Sequence, residues 1–410
     1  MKKFSATLHR GLHHLDIAIS LILEKTLKRL PIGWLQLRHN KTRLFAAIGG
    51  VAFASLLVLM QLGFLGALVG SIALPYKVFD AQILISASDM NTIGDADPVA
   101  RARLLQAATI PGIKSVTPVY LGLIDWRQPD GTLRSLTAMG FEPSTQAFKQ
   151  DAIIQQQKFL TLADTVLIDA NTQNIDTSSL LLASPTHPWR LEIREHSLNV
   201  LGHFKIGGGF ASDGYMLSSD QTFLRLFQNR SAGAPNLGLV KLEQNVDSFI
   251  IIQKLHTLFN NENDVKVRTI EQAIKDDQHF NTTQRPVGVI FGFGVIIGLL
   301  VGIVIVYQVV ASDVADHLKE YATLKAIGYP NQFFLSIIFE EAVILGLLGF
   351  IPGLLIAIGL YNIVGSKTGL PMEMTTSHAI LVLIGTIIMC TLAGSIATRR
   401  LTHANPADLY

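Results

Sequence analysis

The sequence of 410 residues has a single cysteine, Cys390, and only 16% charged residues. One cysteine excludes an intramolecular disulfide, so any water-soluble region must be stable through its own hydrophobic core. The formal net charge of +2 is too small for the basic surface that nucleic-acid binding needs, and we expect no nucleic-acid partner. The pattern G-x-x-x-x-G-K-[S/T] is absent from the sequence, which excludes a P-loop ATPase within it.

Charge is also missing locally, in long apolar runs. Residues 44–74 are 31 positions without a charged side chain, and residues 287–311 are 25. Each run is long enough to cross a hydrocarbon core of about 30 Å as a helix. Two further apolar runs lie at 333–364, where Glu340 and Glu341 are the only charged residues, and at 379–398, which has none. The sequence therefore predicts a membrane protein with four transmembrane α-helices.

The stretch 75–286, between the first two runs, has a different composition. It contains 19 basic and 22 acidic residues and no spanning run, so we predict a large water-soluble domain inserted between helices 1 and 2. Alternating strand and helix patterns favour an α/β (α+β) fold with two lobes. The patterns at the two ends lie at 81–86, 98–108, 115–124, 132–139, 237–242, 246–259 and 265–267. Residues 149–231 predict a smaller, β-rich lobe between them.

Basic residues set the expected orientation. Residues 1–43 hold nine Lys and Arg against two acidic residues, which is typical of a cytoplasmic flank. Apolar residues at helical spacing in this flank predict an amphipathic helix on the membrane surface, followed by a short elbow helix. The tail 399–410 begins with two arginines. Both termini are then cytoplasmic, and 75–286 and the loop 365–378 lie on the outer side of the inner membrane.

The cytoplasmic stretch 312–332, which we call the coupling segment, joins helices 2 and 3. Its residues 320–328 read EYATLKAIG, an amphipathic pattern that predicts a short helix at the membrane surface. Gly328 and Pro330 predict its end, because Gly adopts the left-handed conformation and Pro cannot continue a helix.

This stretch resembles a known family. EYATLKAIG at 320–328, followed by Glu340-Glu341-Ala342 and a Gly-rich span, is similar to the E-[IY]-[GA]-x-L-[KR]-A-[LIM]-G pattern of MacB/FtsX-type ABC permeases. With the openings WLQL at 34–37 and KTRL at 41–44, the sequence looks most like the DevC branch, the heterocyst-type glycolipid exporter permeases. That branch would place the protein in a cyanobacterial inner membrane.

The resemblance implies a non-catalytic permease subunit. Cofactors would be absent from this chain, with ATP and Mg²⁺ bound by a separate ABC ATPase subunit. Further expected partners are a second copy of the chain, a periplasmic membrane-fusion adaptor, a TolC-like outer-membrane protein and membrane lipids. Lipids, glycolipids or other amphipathic molecules would be the cargo. The residues expected to couple to the ATPase are Leu318, Glu320, Tyr321, Leu324, Lys325, Ile327 and Gly328.

Three polar residues in apolar surroundings are candidates for gating. Glu340 and Glu341 either move or pair during gating, or simply face water at the level of the lipid headgroups. Gln61, in the middle of the first run, is expected to face another helix, because an unsatisfied polar group in lipid is costly. Glycines spaced four apart in the second run predict close helix approach, and we expect Gly-lined faces of helices 1 and 2 at a two-fold interface.

Other interpretations remain open at the level of sequence. An FtsX-like transmitter that activates a cell-wall hydrolase would share the fold without exporting anything. A membrane-anchored enzyme with its active site in 75–286 is a third class, although no catalytic pattern supports it. His9, His13 and His14 are a possible metal cluster or an ordinary interfacial group. Gly207-Gly208-Gly209 is either a plain turn or a phosphate-binding loop.

Overall fold

The computed structural model describes residues 31–128, 131–260, 262–316, 323–325 and 327–403. The predicted amphipathic helix in residues 1–30 lies outside the described residues. So do Leu318, Glu320 and Tyr321 of the coupling segment. Their expected roles therefore stay predictions from the sequence.

The chain divides into two compact units, which we describe separately. The membrane unit comprises Met1–Gly63, Phe291–Tyr361 and Met374–Tyr410, and the sheet unit comprises Phe64–Ile290 and Asn362–Glu373.

The helices, named in chain order, are α1 Ile32–His39, α2 Lys41–Lys77, α3 Arg101–Ala108, α4 Asp151–Gln156, α5 Thr177–Leu182, α6 Asp220–Leu226, α7 Ser248–Leu258, α8 Ile270–Thr283, α9 Pro286–Asp316, α10 Asn331–Thr368 and α11 Thr376–His403. The strands are β1 Ile83–Ala87, β2 Ile113–Arg127, β3 Leu133–Phe141, β4 Thr165–Asp169, β5 Trp189–Ile193, β6 His196–Phe204, β7 Gly214–Ser219, β8 Leu237–Leu242 and β9 Val265–Thr269.

Four of these helices are long and apolar enough to cross a membrane: Lys41–Lys77, Pro286–Ser312, Gln332–Thr368 and Thr376–Ile396. The full helices α2, α9, α10 and α11 each contain one of the four apolar runs. α10 is continuous from Asn331 to Thr368, so the segment with Glu340 and Glu341 belongs to the same helix as the rest of the third run. The described residues therefore contain four apolar helices and a mixed α/β domain.

The strands form one nine-stranded sheet with the order β5-β6-β4-β7-β3-β2-β8-β1-β9. At one end, β1-α3-β2 and β8-α7-β9 are two strand–helix–strand units whose strands interleave. β8 pairs antiparallel with both β1 and β2, and β9 pairs antiparallel with β1. This is the split βαβ arrangement of ferredoxin-like folds. The strand–helix–strand pattern predicted over 237–267 is confirmed.

The predicted β-rich lobe at 149–231 is not a separate sheet. Its strand β7 pairs in parallel with β3, from Leu136 opposite Gly214 to Phe141 opposite Ser219, and antiparallel with β4. All six residues of β7 are buried, as expected of a central strand covered on both faces. The sequence did not indicate this continuity, because the pairing joins segments about eighty residues apart, which no local pattern reveals.

Asp277 of α8 is a buried carboxylate that joins three segments of the sheet unit. Its Oδ2 accepts hydrogen bonds from the Tyr76 hydroxyl at 2.9 Å and from the Ile93 backbone N–H at 2.9 Å. Its Oδ1 accepts from Asn281 Nδ2 at 2.7 Å. Burial raises the pKa of Asp277 to about 6, although these hydrogen bonds and the Arg268 guanidinium oppose the shift. The folded domain therefore favours the protonated carboxyl.

We predict that Asp277 makes the sheet unit less stable as the pH rises from about 4 to about 6. In the unfolded chain its pKa is about 3.9, so its stabilising contribution is fully present below that pH and is lost as the pH rises through the folded-state value. The shift to about 6 corresponds to roughly 3 kcal/mol of unfolding free energy. The unfolding free energy is measured by urea unfolding of a Trp34→Phe variant. In this variant the remaining tryptophans, Trp126 and Trp189, both lie in the sheet unit, so the fluorescence reports on that unit.

Asp277→Asn is the matched variant, because it keeps a neutral side chain with an oxygen that accepts from Tyr76 and Ile93. The difference in unfolding free energy between the parent and Asp277→Asn should change by roughly 2 kcal/mol between pH 4 and pH 6.5, because Asp277 of the unfolded chain is already about half ionised at pH 4. A difference that is constant over this range would contradict the assignment.

Candidate functional site

The described end of the coupling segment is a helix stop. Gly328 has φ +108°, in the left-handed region that favours glycine. Its N–H donates to the Lys325 carbonyl at 3.1 Å, and the Tyr329 N–H donates to the Leu324 carbonyl at 3.2 Å. These bonds satisfy the last carbonyl groups of the helix. The predicted stop at Gly328 is confirmed.

The coupling residues at this end do not share one surface. Leu324 packs against the buried pair Phe334 and Ile337 at the start of α10. Ile327 is 70% exposed and Tyr329 is 44% exposed, while Lys325 is half-buried. Leu324 therefore packs within the chain's own core, whereas the apolar side chain of Ile327 lies on the surface. Whether they contact a partner stays a prediction.

The helix α1 packs against the start of α10. Trp34 and Leu37 are buried in the same cluster as Ile338 and Ala342 of α10. A Cβ atom added to Gly33 would lie 2.9 Å from the Ile337 carbonyl oxygen, so the backbones approach closely there. The sequence predicted an elbow helix but gave no sign of where it packs.

Glu340 and Glu341 are buried, with 8% and 1% of their surface exposed. The Trp34 backbone N–H donates to Glu340 Oε1 at 3.4 Å, and Gly33 lies over Glu341. The interpretation that both carboxylates face water is therefore wrong. The reason is that α1, about three hundred residues earlier in the sequence, covers this side of α10. Their role in gating is untested.

An ion pair that sequence reasoning missed joins the first two spans. Arg43 Nη1, in the first turn of α2, lies 2.7 Å from Asp316 Oδ2 at the end of α9. Both residues flank apolar runs on the side predicted to be cytoplasmic. The sequence could have indicated this pair, because two opposite charges flank apolar runs on the same predicted side of the membrane. The first turn of α2 and the last turn of α9 can then lie close together.

Two hydrogen bonds join polar groups of different apolar helices, and a third polar side chain, Gln61, packs against a neighbouring helix. The Tyr361 hydroxyl donates to the Leu59 carbonyl, and the Ser55 and Thr386 hydroxyls lie 3.2 Å apart. Gln61 packs against Gly294 of α9, so it faces another helix as expected. Its Oε1 is buried and accepts no hydrogen bond within the described part of the chain.

The glycines of α9 serve contacts within one chain. A side chain at Gly294 would overlap Gln61, one at Gly298 would press on Val58, and one at Gly302 would overlap Met389. The close approaches thus lie between α9 and its neighbours α2 and α11. These three positions are occupied within this chain, whereas a Cβ atom at Gly292 would meet nothing within 4 Å. That Gly-lined faces of helices 1 and 2 form a two-fold interface stays a prediction.

The structure also bears on the two ligand alternatives. Gly207 has φ +108°, and its N–H donates to Asp169 Oδ2 at 2.6 Å, while the Ile206 N–H donates to Asp169 Oδ1 at 3.0 Å. A carboxylate of the chain thus takes the place that a phosphate would need. Burial raises the pKa of Asp169, and these backbone donors oppose the shift.

The second alternative was a metal cluster at His9, His13 and His14, which lie outside the described residues. Among the described residues, no group of three or more His, Cys, Asp or Glu side chains is placed to hold a metal ion.

One protein family matches part of the chain. Residues 292–406 match the family described as FtsX-like permease C-terminal. This region covers most of α9, the coupling segment, α10 and α11. No curated protein matches the chain significantly.

Solved structures also match part of the chain. They include the periplasmic region of MacB from Actinobacillus actinomycetemcomitans, with 13% identity, a TM-score of 0.34 and coverage of 48% of this chain and 92% of that one. The extracellular domain of the noncanonic ABC-type transporter YknZ from Gram-positive bacteria has 15% identity, a TM-score of 0.31 and coverage of 46% and 98%. A domain of a putative permease protein from Porphyromonas gingivalis has 17% identity, a TM-score of 0.30 and coverage of 46% and 89%. The similarity that bears on function is that of residues 292–406 to FtsX-like permeases.

Proposed function

We propose that this chain is the permease subunit of a MacB/FtsX-type ABC exporter. The observation that carries the proposal is the FtsX-like match over residues 292–406, which includes the coupling segment and both helices that flank it. The four apolar helices and the mixed α/β domain fit such a subunit. ATP and Mg²⁺ bind to a separate ABC ATPase, and this chain transmits the motion.

The exposed turn at Ile327 and Tyr329 is the described part of the proposed ATPase contact. Ile327 is an apolar side chain without cover from the described residues, and Gly328 fixes the direction in which the chain leaves the helix. Apolar anchors of this kind carry most of the binding energy when a short helix enters a groove. Leu318 and Tyr321 are the further anchors, and Glu320 and Lys325 orient the contact at its rim.

The remaining parts of the proposal come from the DevC-like features of the sequence. The sheet unit lies between helices 1 and 2 on the periplasmic side and contacts a membrane-fusion adaptor, which leads to a TolC-like outer-membrane protein. The cargo is a lipid, a glycolipid or another amphipathic molecule. Two copies of the chain match a dimeric ATPase, because closed two-fold symmetry is the simplest way to pair them.

The first prediction from this proposal concerns topology. In a Cys390→Ala background, which removes the buried native thiol, single cysteines are placed at Asp125 and Ile327, both of which are exposed. An impermeant maleimide should label Asp125→Cys in intact spheroplasts and Ile327→Cys only after permeabilisation. Labelling of Ile327→Cys in intact spheroplasts would overturn the orientation.

The second prediction concerns the partner. Ile327→Ala should weaken association with the ATPase that co-purifies with this chain by about 2 kcal/mol, roughly thirty-fold, because it removes most of an apolar side chain that becomes buried on binding. Tyr321→Ala should have an effect of similar size. Surface plasmon resonance on the permease in lipid nanodiscs measures the dissociation constant.

Ile250→Ala is the matched control for Ile327→Ala. Ile250 lies on α7 of the sheet unit and is also well exposed, so the change removes the same atoms from the side proposed to be periplasmic. Its dissociation constant should equal that of the parent. Equal binding by both variants and the parent would contradict the assigned contact.

A further inference from the structure

The elbow helix α1 and the coupling segment pack on the same two side chains. Phe334 and Ile337 are buried at the start of α10, and Ile32 of α1, Leu324 of the coupling segment and Phe333 pack against them. Ile32 and Leu324 are far apart in sequence, yet each covers part of one small apolar cluster. A displacement of either one therefore uncovers a surface that the other shares.

The contact between α1 and α10 leaves no space for adjustment at Gly33. A Cβ atom at this position would lie 2.9 Å from the Ile337 carbonyl oxygen and 3.1 Å from the Glu341 backbone nitrogen. Both are backbone atoms of a long helix and cannot rotate away. The next residue, Trp34, is buried in the same apolar cluster as Ile338.

Glu340 provides a hydrogen-bond acceptor for the first turn of α1. The N-cap residue of α1 is Pro31, which provides no side-chain hydrogen bond to the first turn. The first N–H groups of a helix lack partners within the helix, and an acceptor or negative charge there is stabilising. The Trp34 N–H, in this first turn, donates to Glu340 Oε1. A carboxylate from α10 thus does for α1 what a capping side chain normally does.

The far end of α1 is joined directly to the first span. Asn40 is the only residue between α1 and α2, and its Oδ1 accepts a hydrogen bond from the Arg43 N–H at 3.2 Å. Asn40 therefore caps α2. A one-residue connection with a cap gives little freedom for α1 to move without α2.

We infer that α1, the start of α10 and Leu324 move as one packed body, so that a displacement of the coupling segment reaches the first span through α1 and Asn40. Glu340 and Gly33 are positioning residues in this body. The inference rests on packing within this chain and does not depend on the identity of the partner.

The test uses the full chain alone in lipid nanodiscs. In a Cys390→Ala background, a nitroxide label at Leu35, on the exposed side of α1, reports the mobility of α1 by electron paramagnetic resonance. Leu324→Ala should raise the mobile fraction roughly two-fold or more, because it leaves a cavity beside the cluster that supports Ile32. Leu324→Met, which keeps the side-chain volume, should behave like the parent.

Ile327→Ala is the control within the same segment, since its side chain is exposed and should leave the spectrum unchanged. A label spectrum that is unaffected by Leu324→Ala would overturn the inference. So would an equal effect of the two alanine variants, because α1 would then respond to any damage in the segment rather than to the shared cluster.

A glycine pair tests the other contact independently. Gly33→Ala should raise the mobility of the label at Leu35, whereas Gly49→Ala in α2, where an added Cβ meets no described atom within 4 Å, should not. Identical spectra for the two variants would contradict the close approach. Because no ATPase is present, failure of these measurements is distinguishable from failure of the proposed ATPase contact.

Discussion

Close approach of helix backbones is the constraint on which the membrane unit depends. Within lipid, water does not drive apolar helices together, so packing and hydrogen bonds between helices must hold them. A Cβ atom at Gly353 of α10 would lie 2.7 Å from the Ala52 carbonyl oxygen of α2, and one at Gly349 would press on Val51. On α9, Gly294, Gly298 and Gly302 leave room for the side chains of Gln61, Val58 and Met389, respectively. The glycines at these positions thus allow the close approach of α2, α9, α10 and α11 within one chain.

The same principle extends to the helix ends that are predicted to be cytoplasmic, and there it bears on the proposed function. Gly33 lets α1 lie on α10, and α1 then covers Glu340 and Glu341, whose burial makes them part of a helix contact rather than of the surface. Ile32 and Leu324 meet on one apolar cluster there, while Ile327 remains exposed. The coupling segment therefore packs against its own helices through Leu324 and leaves Ile327 exposed for contact with a partner. Coupling needs both, because a contact that moves nothing inside the chain transmits no motion.

Local patterns predicted what depends on neighbouring residues. Long apolar runs indicated the four helices, Gly328 indicated the end of the coupling helix, and the strand–helix–strand order indicated the unit at 237–267. The features that were missed depend on contacts distant in sequence. The pairing of β7 with β3 fuses the expected lobe into one sheet, and the cover over Glu341 comes from α1. No periodicity of α9 shows that Gly294 faces Gln61, because a Gly-rich helix face looks the same whichever helix it meets.

The central claim is that ATP hydrolysis by a separate subunit moves the domain on the other side of the membrane. The most direct measurement places one spin label per chain at Asp125, an exposed residue of β2, in the complex of this chain with its co-purified ATPase, and records the distance between the labels of two copies by pulsed electron paramagnetic resonance. The account predicts one distance distribution without nucleotide and a shifted one when ATP and vanadate trap the ATPase. The same distribution in both states would contradict it.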